Sequence, residues 1–302
     1  MASKLGKVVL RTAGLISLAG YQIYQTKFVK KTVMELFYED LPEALDNYRI
    51  AHISDLHGAV FGRDNQRLEQ MIMALEPDIL CITGDMVHKF SDSGDAFLNL
   101  IAALDEDLTK LFVTGNHEMT QRKMGKFERL NRSVMYRKLE NYNVQILNGT
   151  TFIPEGLPIA FSGMDDDFEQ YEGLGFVEEN FRPGDFLPMP NLDFLNVALI
   201  HRPNYFRSIS DYGYQLMLSG HTHGGVIRIG KGGMLSPEMK FFPEFDKGLF
   251  QRDNSYLHVT SGLGLAKPIP RIGNRPEIVL LILRKGVPDS KTAKQVHEVK
   301  NK

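Results

Sequence analysis

Tyr48–Ser54 (YRIAHIS) runs directly into Asp55-Leu56-His57-Gly58. An apolar run of strand length ends on a carboxylate and an imidazole. The same arrangement recurs downstream. Asp78–Thr83 (DILCIT) precedes Gly84-Asp85, and Leu111–Thr114 (LFVT) precedes Gly115-Asn116-His117-Glu118. Between the first two runs, Arg63–Leu75 places Leu68, Met71, Ile72 and Leu75 at helical spacing, and Pro77 follows as a stop. Ala96–Leu104 and Gly125–Glu140 read as helices and Val144–Leu147 as a strand. Strands alternating with helices predict an α/β sheet with helices outside it.

The second half is richer in strands. Pro158–Ser162, Phe194–Ile200, Tyr214–Leu218, Val226–Ile229, Tyr256–Thr260 and Ile278–Leu283 are the candidates. His201 follows the run VALI, and Gly220-His221-Thr222-His223-Gly224-Gly225 follows YQLMLS. Asp165–Asp185 carries eight acids against Arg182 and reads as a long surface loop, with a lid as the alternative. There is no internal repeat.

The composition bounds the function. At 302 residues, 43 % hydrophobic and 24 % charged, the chain is globular in type. The formal net charge of −2 disfavours a basic nucleic-acid binder. Cys81 stands alone, so no intrachain disulfide forms, and the redox compartment stays open. Residues 1–31 are different in kind. They hold Lys4, Lys7, Arg11, Lys27, Lys30 and Lys31 and no acid, which leaves 29 bases against 37 acids in the remainder. Inside them lies an apolar stretch, Val8–Tyr24, of 17 residues, short of the roughly 20 that a full span needs. Three readings follow: a membrane anchor or interfacial helix, a cleaved signal peptide with a poor cleavage pattern, or a helix packed on the body. The organisation expected is a membrane-associating segment 1–31, a connector 32–47, a catalytic domain 48–285 and a charged tail 286–302. The localisation expected is membrane-associated, with cytoplasmic as the alternative.

Five motifs sit at strand ends, where open α/β sheets form their sites. Asp55, His57, Asp85, Asn116, His201, His221 and His223 offer carboxylate, amide and imidazole donors, and no thiolate. That set suits Mn, Fe or Zn and fits a Cys-rich structural zinc site badly. Seven donors exceed one ion with open positions and match two ions sharing a carboxylate. Two such ions, roughly 3.5–4 Å apart, clamp a phosphate and activate a water. The glycines beside them allow close backbone approach and positive φ. Any single member has an ordinary explanation, such as a turn or helix-cap aspartate. Five of nine histidines falling in these motifs does not. His52, His88, His258 and His297 lie outside them and read as structural or surface residues.

In their order, Asp55-x-His57, Gly84-Asp85, Gly115-Asn116-His117-Glu118, His201 and Gly220-His221-Thr222-His223 resemble the signature blocks of the calcineurin-like metallophosphoesterase superfamily. The resemblance covers residues 48 to about 284. It is nearest to bacterial membrane-associated members with an N-terminal hydrophobic segment, Gly262-Leu263-Gly264 and Pro276-Glu277 included. It implies a four-layer αββα sandwich with two mixed sheets and a metal-dependent phosphoric ester hydrolase. It further implies that Asp55, His57, Asp85 and His223 hold one metal, and that Asp85, Asn116, His201 and His221 hold the other, Mn first and Fe or Zn as alternatives. His117 is similar to the family histidine that protonates the leaving alkoxide, a task suited to a pKa of about 6.5. Water deprotonated by the metals would attack phosphorus in line, with no phosphoenzyme. Two positions depart from the family: His88 stands where many relatives carry an acid that orients this histidine, a role that here falls to Glu118, to another residue or to none, and Val226 stands where close relatives have Gln.

An N-terminal anchor favours an amphipathic phosphoester, such as a phospholipid or a lipid-linked nucleotide sugar cleaved by a pyrophosphatase activity. Phe241, Phe242, Phe245 and Phe250 form either an apolar rim for an acyl chain or a satellite core. Lys240 and Arg271 are candidates for meeting anionic substrate groups. A nuclease is the alternative that the acidic body disfavours. A non-catalytic binding module of the same fold is the other, disfavoured because the donor set is complete.

Overall fold

Ile79–Ile82 is buried at every position, and Arg49–Ile53 at every position but Arg49. A strand covered on both faces needs no polar alternation, so these segments read as continuous apolar runs. The computed structural model describes residues 4–88, 92–118, 126–166, 181–230, 232–236, 239, 241–267, 269–293 and 296–299. Its strands are β1 (Lys30–Tyr38), β2 (Arg49–Ile53), β3 (Ile79–Ile82), β4 (Thr109–Phe112), β5 (Val144–Ile146), β6 (Thr151–Phe152), β7 (Ile159–Met164), β8 (Leu195–Ile200), β9 (Leu216–Ser219), β10 (Ile227–Ile229), β11 (Gly232–Leu235), β12 (Gly248–Arg252), β13 (Ser255–Val259), β14 (Glu277–Lys285) and β15 (Val296–Glu298). Helices include α1 (Lys4–Lys27), α2 (Gln66–Met73), α3 (Asp95–Ala103), α4 (Lys126–Asn141), α5 (Phe206–Tyr212) and α6 (Ser290–Ala293).

The first sheet has the order β1-β14-β2-β3-β4-β5 and is parallel except between β14 and β2. The second has the order β15-β12-β13-β9-β8-β7-β6 and is antiparallel only at β12–β13 and β6–β7. Strand parity sorts the side chains. Ile50, Ile79, Leu111 and Leu281 face Phe161, Val197, Leu199 and Leu218 of the other sheet. Ala51, Leu80 and Phe112 point outward to Leu68 and Ile72 of α2, Phe97 of α3 and Leu139 of α4. Ala198 and Met217 point the opposite way, to Phe206 and Ile209 of α5. The result is the expected αββα sandwich of two mixed sheets.

Two segments differ from expectation. Residues 32–47, expected as a connector, supply most of β1, which pairs with β14 from Lys30↔Glu277 to Tyr38↔Lys285. Leu36 is fully buried there, with Met34 and Tyr38 packed beside it between the sheets. This period-2 pattern is masked in the sequence by the flanking lysines and Glu35. Residues 286–302, expected as a tail, return β15 to the edge of the second sheet beside β12. Of the acid-rich loop, 167–180 lies outside the described residues.

His52 of β2 and His258 of β13 meet between the sheets, Nδ1 to Nδ1 at 2.9 Å, while His52 Nε2 contacts Thr83 Oγ1 at 2.8 Å. Both rings are buried, and burial opposes their protonation. It lowers His52 well below the usual imidazole value and His258 to about 4. The sign follows from linkage. Below about pH 6.5 the unfolded chain binds a proton at His258 that the folded chain refuses, so this contribution is complete above 6.5 and is lost as the pH falls toward 4. Between pH 7 and pH 5 it amounts to about 2 kcal/mol. Urea unfolding of the protein and of His258→Asn should show that difference narrowing by this amount on acidification. Parallel pH profiles would count against it.

Candidate metal centre

Each candidate donor stands just beyond the carboxyl end of a strand. Asp55 and His57 follow β2, Asp85 follows β3, Asn116 and His117 follow β4, His201 follows β8, and His221 and His223 follow β9. Within each sheet these strands are parallel, so the loops collect at one edge. Main-chain hydrogen bonds braid them together: Asp55 N–H to Gly84 O at 2.9 Å, His57 N–H to Asp85 O at 3.0 Å, and Gly220 N–H to His201 O at 3.0 Å.

The turns are sharp. Asp55, His57, Asp85, His221 and His223 have φ of 53°, 47°, 54°, 69° and 49°, in the left-handed region that non-glycine residues avoid. Each such residue stores about 1–3 kcal/mol and persists only where its surroundings over-determine it. Gly84 has φ of 89° and makes the turn into Asp85. At Gly220 the constraint is space: a Cβ there would collide with Ser54 Oγ and the Asp55 carboxylate. Gly220→Ala should therefore push Asp55 aside. Overpacking of this kind costs about 1–3 kcal/mol, and a displaced ligand weakens metal binding by roughly 10- to 100-fold. Competition titration against a chelating dye measures the second effect, and unchanged affinity would contradict the packing account.

The donors form one connected set. His57 Nε2 lies 3.0 Å from His223 Nε2, which is 3.4 Å from Asp55 Oδ1. Asp85 Oδ2 lies 3.7 Å from His57 Nε2, 3.9 Å from His117 Nε2 and 3.3 Å from His201 Nε2. His201 Nε2 is 3.3 Å from His221 Nδ1. Ligand-capable atoms lie within 4.8 Å of one another in three groups: Asp55, His57 and His223; His57, Asp85 and His117; and Asp85, His201 and His221. Asn116 is half-buried at the start of a helical turn, beside His117.

The electrostatics fit a cation. Burial penalises the Asp85 carboxylate, but His201 and the other imidazoles outweigh it and hold its pKa well below the usual range. Burial opposes a charge on His201 as well, yet Asp85 pushes it up to about 10. Burial drives His57 down to about 3, so its ring stays neutral with a lone pair to donate. Two Nε2 atoms facing at 3.0 Å, with both Nδ1 atoms buried and without a hydrogen-bond partner among the described residues, are met by one cation better than by a single proton. The residues present therefore fit a divalent metal.

Several supporting groups carry no sequence signal of their own. His201 Nδ1 contacts the Thr83 carbonyl at 2.6 Å, which turns Nε2 toward Asp85. Arg202, the residue after His201, grips Asp166 through Nε at 3.0 Å to both oxygens and reaches His221 Nε2 with Nη1 at 3.1 Å. This leaves His221 Nδ1 facing the centre. Asn274 donates from Nδ2 to the His223 carbonyl at 2.5 Å, and its own N–H goes to Gln25 Oε1 of α1 at 3.1 Å. His88, set aside in the sequence, brings its ring within 5.8 Å of His117 and 6.0 Å of His57.

Three expectations change. Glu118 accepts hydrogen bonds from the main-chain N–H groups of Asp85, Met86, Val87 and Gly115 at 2.7–3.1 Å, so its carboxylate shapes the Asp85 turn. Arg271 is fully buried and donates to the carbonyls of Ser261, Gly262 and Gly264, the last at 2.6 Å. It supports the segment that closes over Asp55. Lys240 lies outside the described residues. The four phenylalanines divide: Phe245 and Phe250 pack in the core, ring centroids 5.2 Å apart, whereas Phe241 and Phe242 are 72 % and 71 % exposed.

A four-layer sandwich with carboxylates and imidazoles gathered at one strand edge is an arrangement suited to metal-assisted hydrolysis. The model of the calcineurin-like phosphoesterase family matches residues 48–225, more than half of the chain, and the protein belongs to that family. It is a metal-dependent phosphoester hydrolase. It is similar to an uncharacterized metallophosphoesterase of Aquifex aeolicus, 26 % identical over 89 % of this chain and 97 % of that protein. It is 28 % identical, over 84 % of its length, to a bovine transmembrane protein with metallophosphoesterase domain, of which it spans 56 %. A third relative, 26 % identical over 78 % of this chain and 84 % of the other, is the UDP-2,3-diacylglucosamine pyrophosphatase LpxG of Chlamydia muridarum.

Proposed function

We propose that the protein hydrolyses phosphate esters at or near a membrane through a dinuclear centre in which Asp85 is the shared ligand. The observation that carries this is the position of Asp85, whose carboxylate belongs both to the group with His57 and to the group with His201 and His221. Asp55, His57, Asp85 and His223 hold one ion; Asp85, Asn116, His201 and His221 hold the other. Mn is proposed first, with Fe or Zn as alternatives that the same donors accept. When bound, such a pair acidifies water and neutralises charge on phosphoryl oxygens. His117 stands at the edge of this group and supplies the proton to the departing oxygen. Glu118 fixes the turn that aims Asp85, and Arg202 with Thr83 fixes the two imidazoles of the second group.

Support for the membrane setting comes from the basic, acid-free N-terminal segment 1–31 and from the transmembrane designation of the bovine relative. Among the described residues no helix is long and apolar enough to cross a membrane, so the reading is of an anchor or interfacial helix. The relative that cleaves a diacylated nucleotide sugar favours a second, narrower reading: a pyrophosphatase of lipid-linked nucleotide sugars. One assay panel tests both. Metal-depleted protein, reloaded with Mn, Zn or Fe, is offered aryl phosphodiesters, nucleotide-sugar lipids, cyclic nucleotides and nucleic acid. Metal-dependent turnover of a lipid phosphoester is expected. Preferential cleavage of nucleic acid, or turnover unchanged without metal, overturns the reading, and elemental analysis of the purified protein identifies the ion.

A further inference from the structure

Nine consecutive residues of α1, 12–20, are exposed, which is two and a half turns and therefore every face of the helix. Leu15, Ile16 and Leu18 are among them, each more than half exposed. At 3.6 residues per turn these three fall within about half of the helix circumference, and an exposed apolar face flanked by bases suits the headgroup–acyl boundary of a membrane. Below residue 20 the helix is seated. Tyr21 Oη accepts from Gly273 N–H at 3.1 Å, Gln25 Oε1 accepts from Asn274 N–H at 3.1 Å, and Arg275 Nη1 donates to Tyr24 Oη at 2.7 Å.

The seat leads to a second apolar feature. Ile272 is bridged to Ile227 of β10, Ile227 pairs with Leu235 of β11, and Leu235 is bridged to Phe241. Directly paired residues place their side chains on one face of a sheet. Four apolar side chains thus form a single row, about 14 Å long at the usual strand spacing. One end of it touches the α1 seat, and the other ends at the exposed Phe241 and Phe242, with exposed Met239 beside them. The row borders the metal centre, because β10 begins two residues after Gly225 of the Gly220–Gly225 motif. The charge pattern fits anionic headgroups: Lys4, Lys7 and Arg11 lie toward one end of α1, exposed Lys27, Lys30 and Lys31 at the other, and there is no acid in 1–31.

We infer that α1 and the Ile272–Ile227–Leu235–Phe241 row insert together into an anionic bilayer, with Phe241 and Phe242 as a second contact beside the site. The bilayer then lies against the mouth of the centre, and an amphipathic phosphoester reaches it by lateral diffusion. The inference rests on the proposed membrane setting and adds the place of contact.

The test uses the full chain, purified in detergent that is then removed, and sedimentation with phosphatidylcholine vesicles with or without phosphatidylglycerol. Binding stronger to the anionic vesicles is expected. Phe241→Ser/Phe242→Ser, which changes two exposed residues outside the metal centre, should weaken vesicle partitioning by about tenfold or more. It should leave metal content and hydrolysis of a soluble aryl phosphodiester as in the unmodified protein. Partitioning equal to that of the unmodified protein overturns the second contact. Absence of vesicle binding by both, with self-association that the double variant abolishes, overturns it in favour of a second copy of the chain. Loss of aryl phosphodiester hydrolysis in metal-loaded, unmodified protein bears on the proposed function instead, since vesicle binding does not depend on it.

Discussion

Asp85→Asn should lower metal-dependent hydrolysis of an aryl phosphodiester by at least about 10³-fold, because it removes the one carboxylate that, among the described residues, is common to both donor groups. The substitution is nearly isosteric, and the Asn oxygen can still accept the His117 main-chain N–H that Asp85 Oδ1 accepts at 2.7 Å. The variant should fold. What disappears is the charge. In the protein that charge lifts His201 to about 10 against the pull of burial. In the variant, burial acts unopposed by Asp85 and His201 titrates well below that value. Elemental analysis of folded Asp85→Asn should find both sites depleted, and a circular dichroism spectrum matching the parent would separate that result from misfolding. A variant that keeps its metal and its turnover would falsify the shared-ligand reading.

His117→Ala should lower turnover by roughly 10²- to 10⁴-fold, the range of a lost general acid, while metal content stays near that of the parent. The geometry makes this a sharp test. His117 Nε2 lies 3.9 Å from Asp85 Oδ2 and within the cluster formed with His57, so a ligand role is the competing account. Metal loss in His117→Ala supports that competitor. A second readout separates the two. A departing group that is already acidic needs no proton, so a nitrophenyl ester should lose far less rate than an alkyl ester. A missing ligand slows both alike.

The strands that carry the centre were legible because burial on both faces writes itself into sequence as short apolar runs. β2, β3, β4, β8 and β9 are buried nearly throughout. The donors were legible because a strand end followed by glycine, carboxylate and imidazole is a local pattern. The supporting residues were not. Glu118 lies one residue past His117 in sequence, yet it serves the turn after a different strand. Arg271 reads as a cation awaiting a ligand, but its Nη2 group donates to the carbonyls of Ser261 and Gly264, which lie outside helices and strands. His88 stands three residues after Asp85, and its nearness to His117 depends on how two loops fold over each other. β1 was hidden because an edge strand alternates only on one face, and its polar positions resemble a linker.

Periodicity and turn preference act over a few residues, so the residues that end each strand and the chemistry they offer are legible along the chain. Which atoms face one another depends on the packing of distant segments. The packing of two sheets brings His57 against His223 and His201 against Asp85 across 166 and 116 residues of chain. It also selects the ring nitrogen that each histidine presents, through contacts such as Thr83 to His201 and Arg202 to His221. Those contacts lie between residues whose spacing along the chain carries no periodic signal, because they are set by how layers stack and not by how a single segment folds.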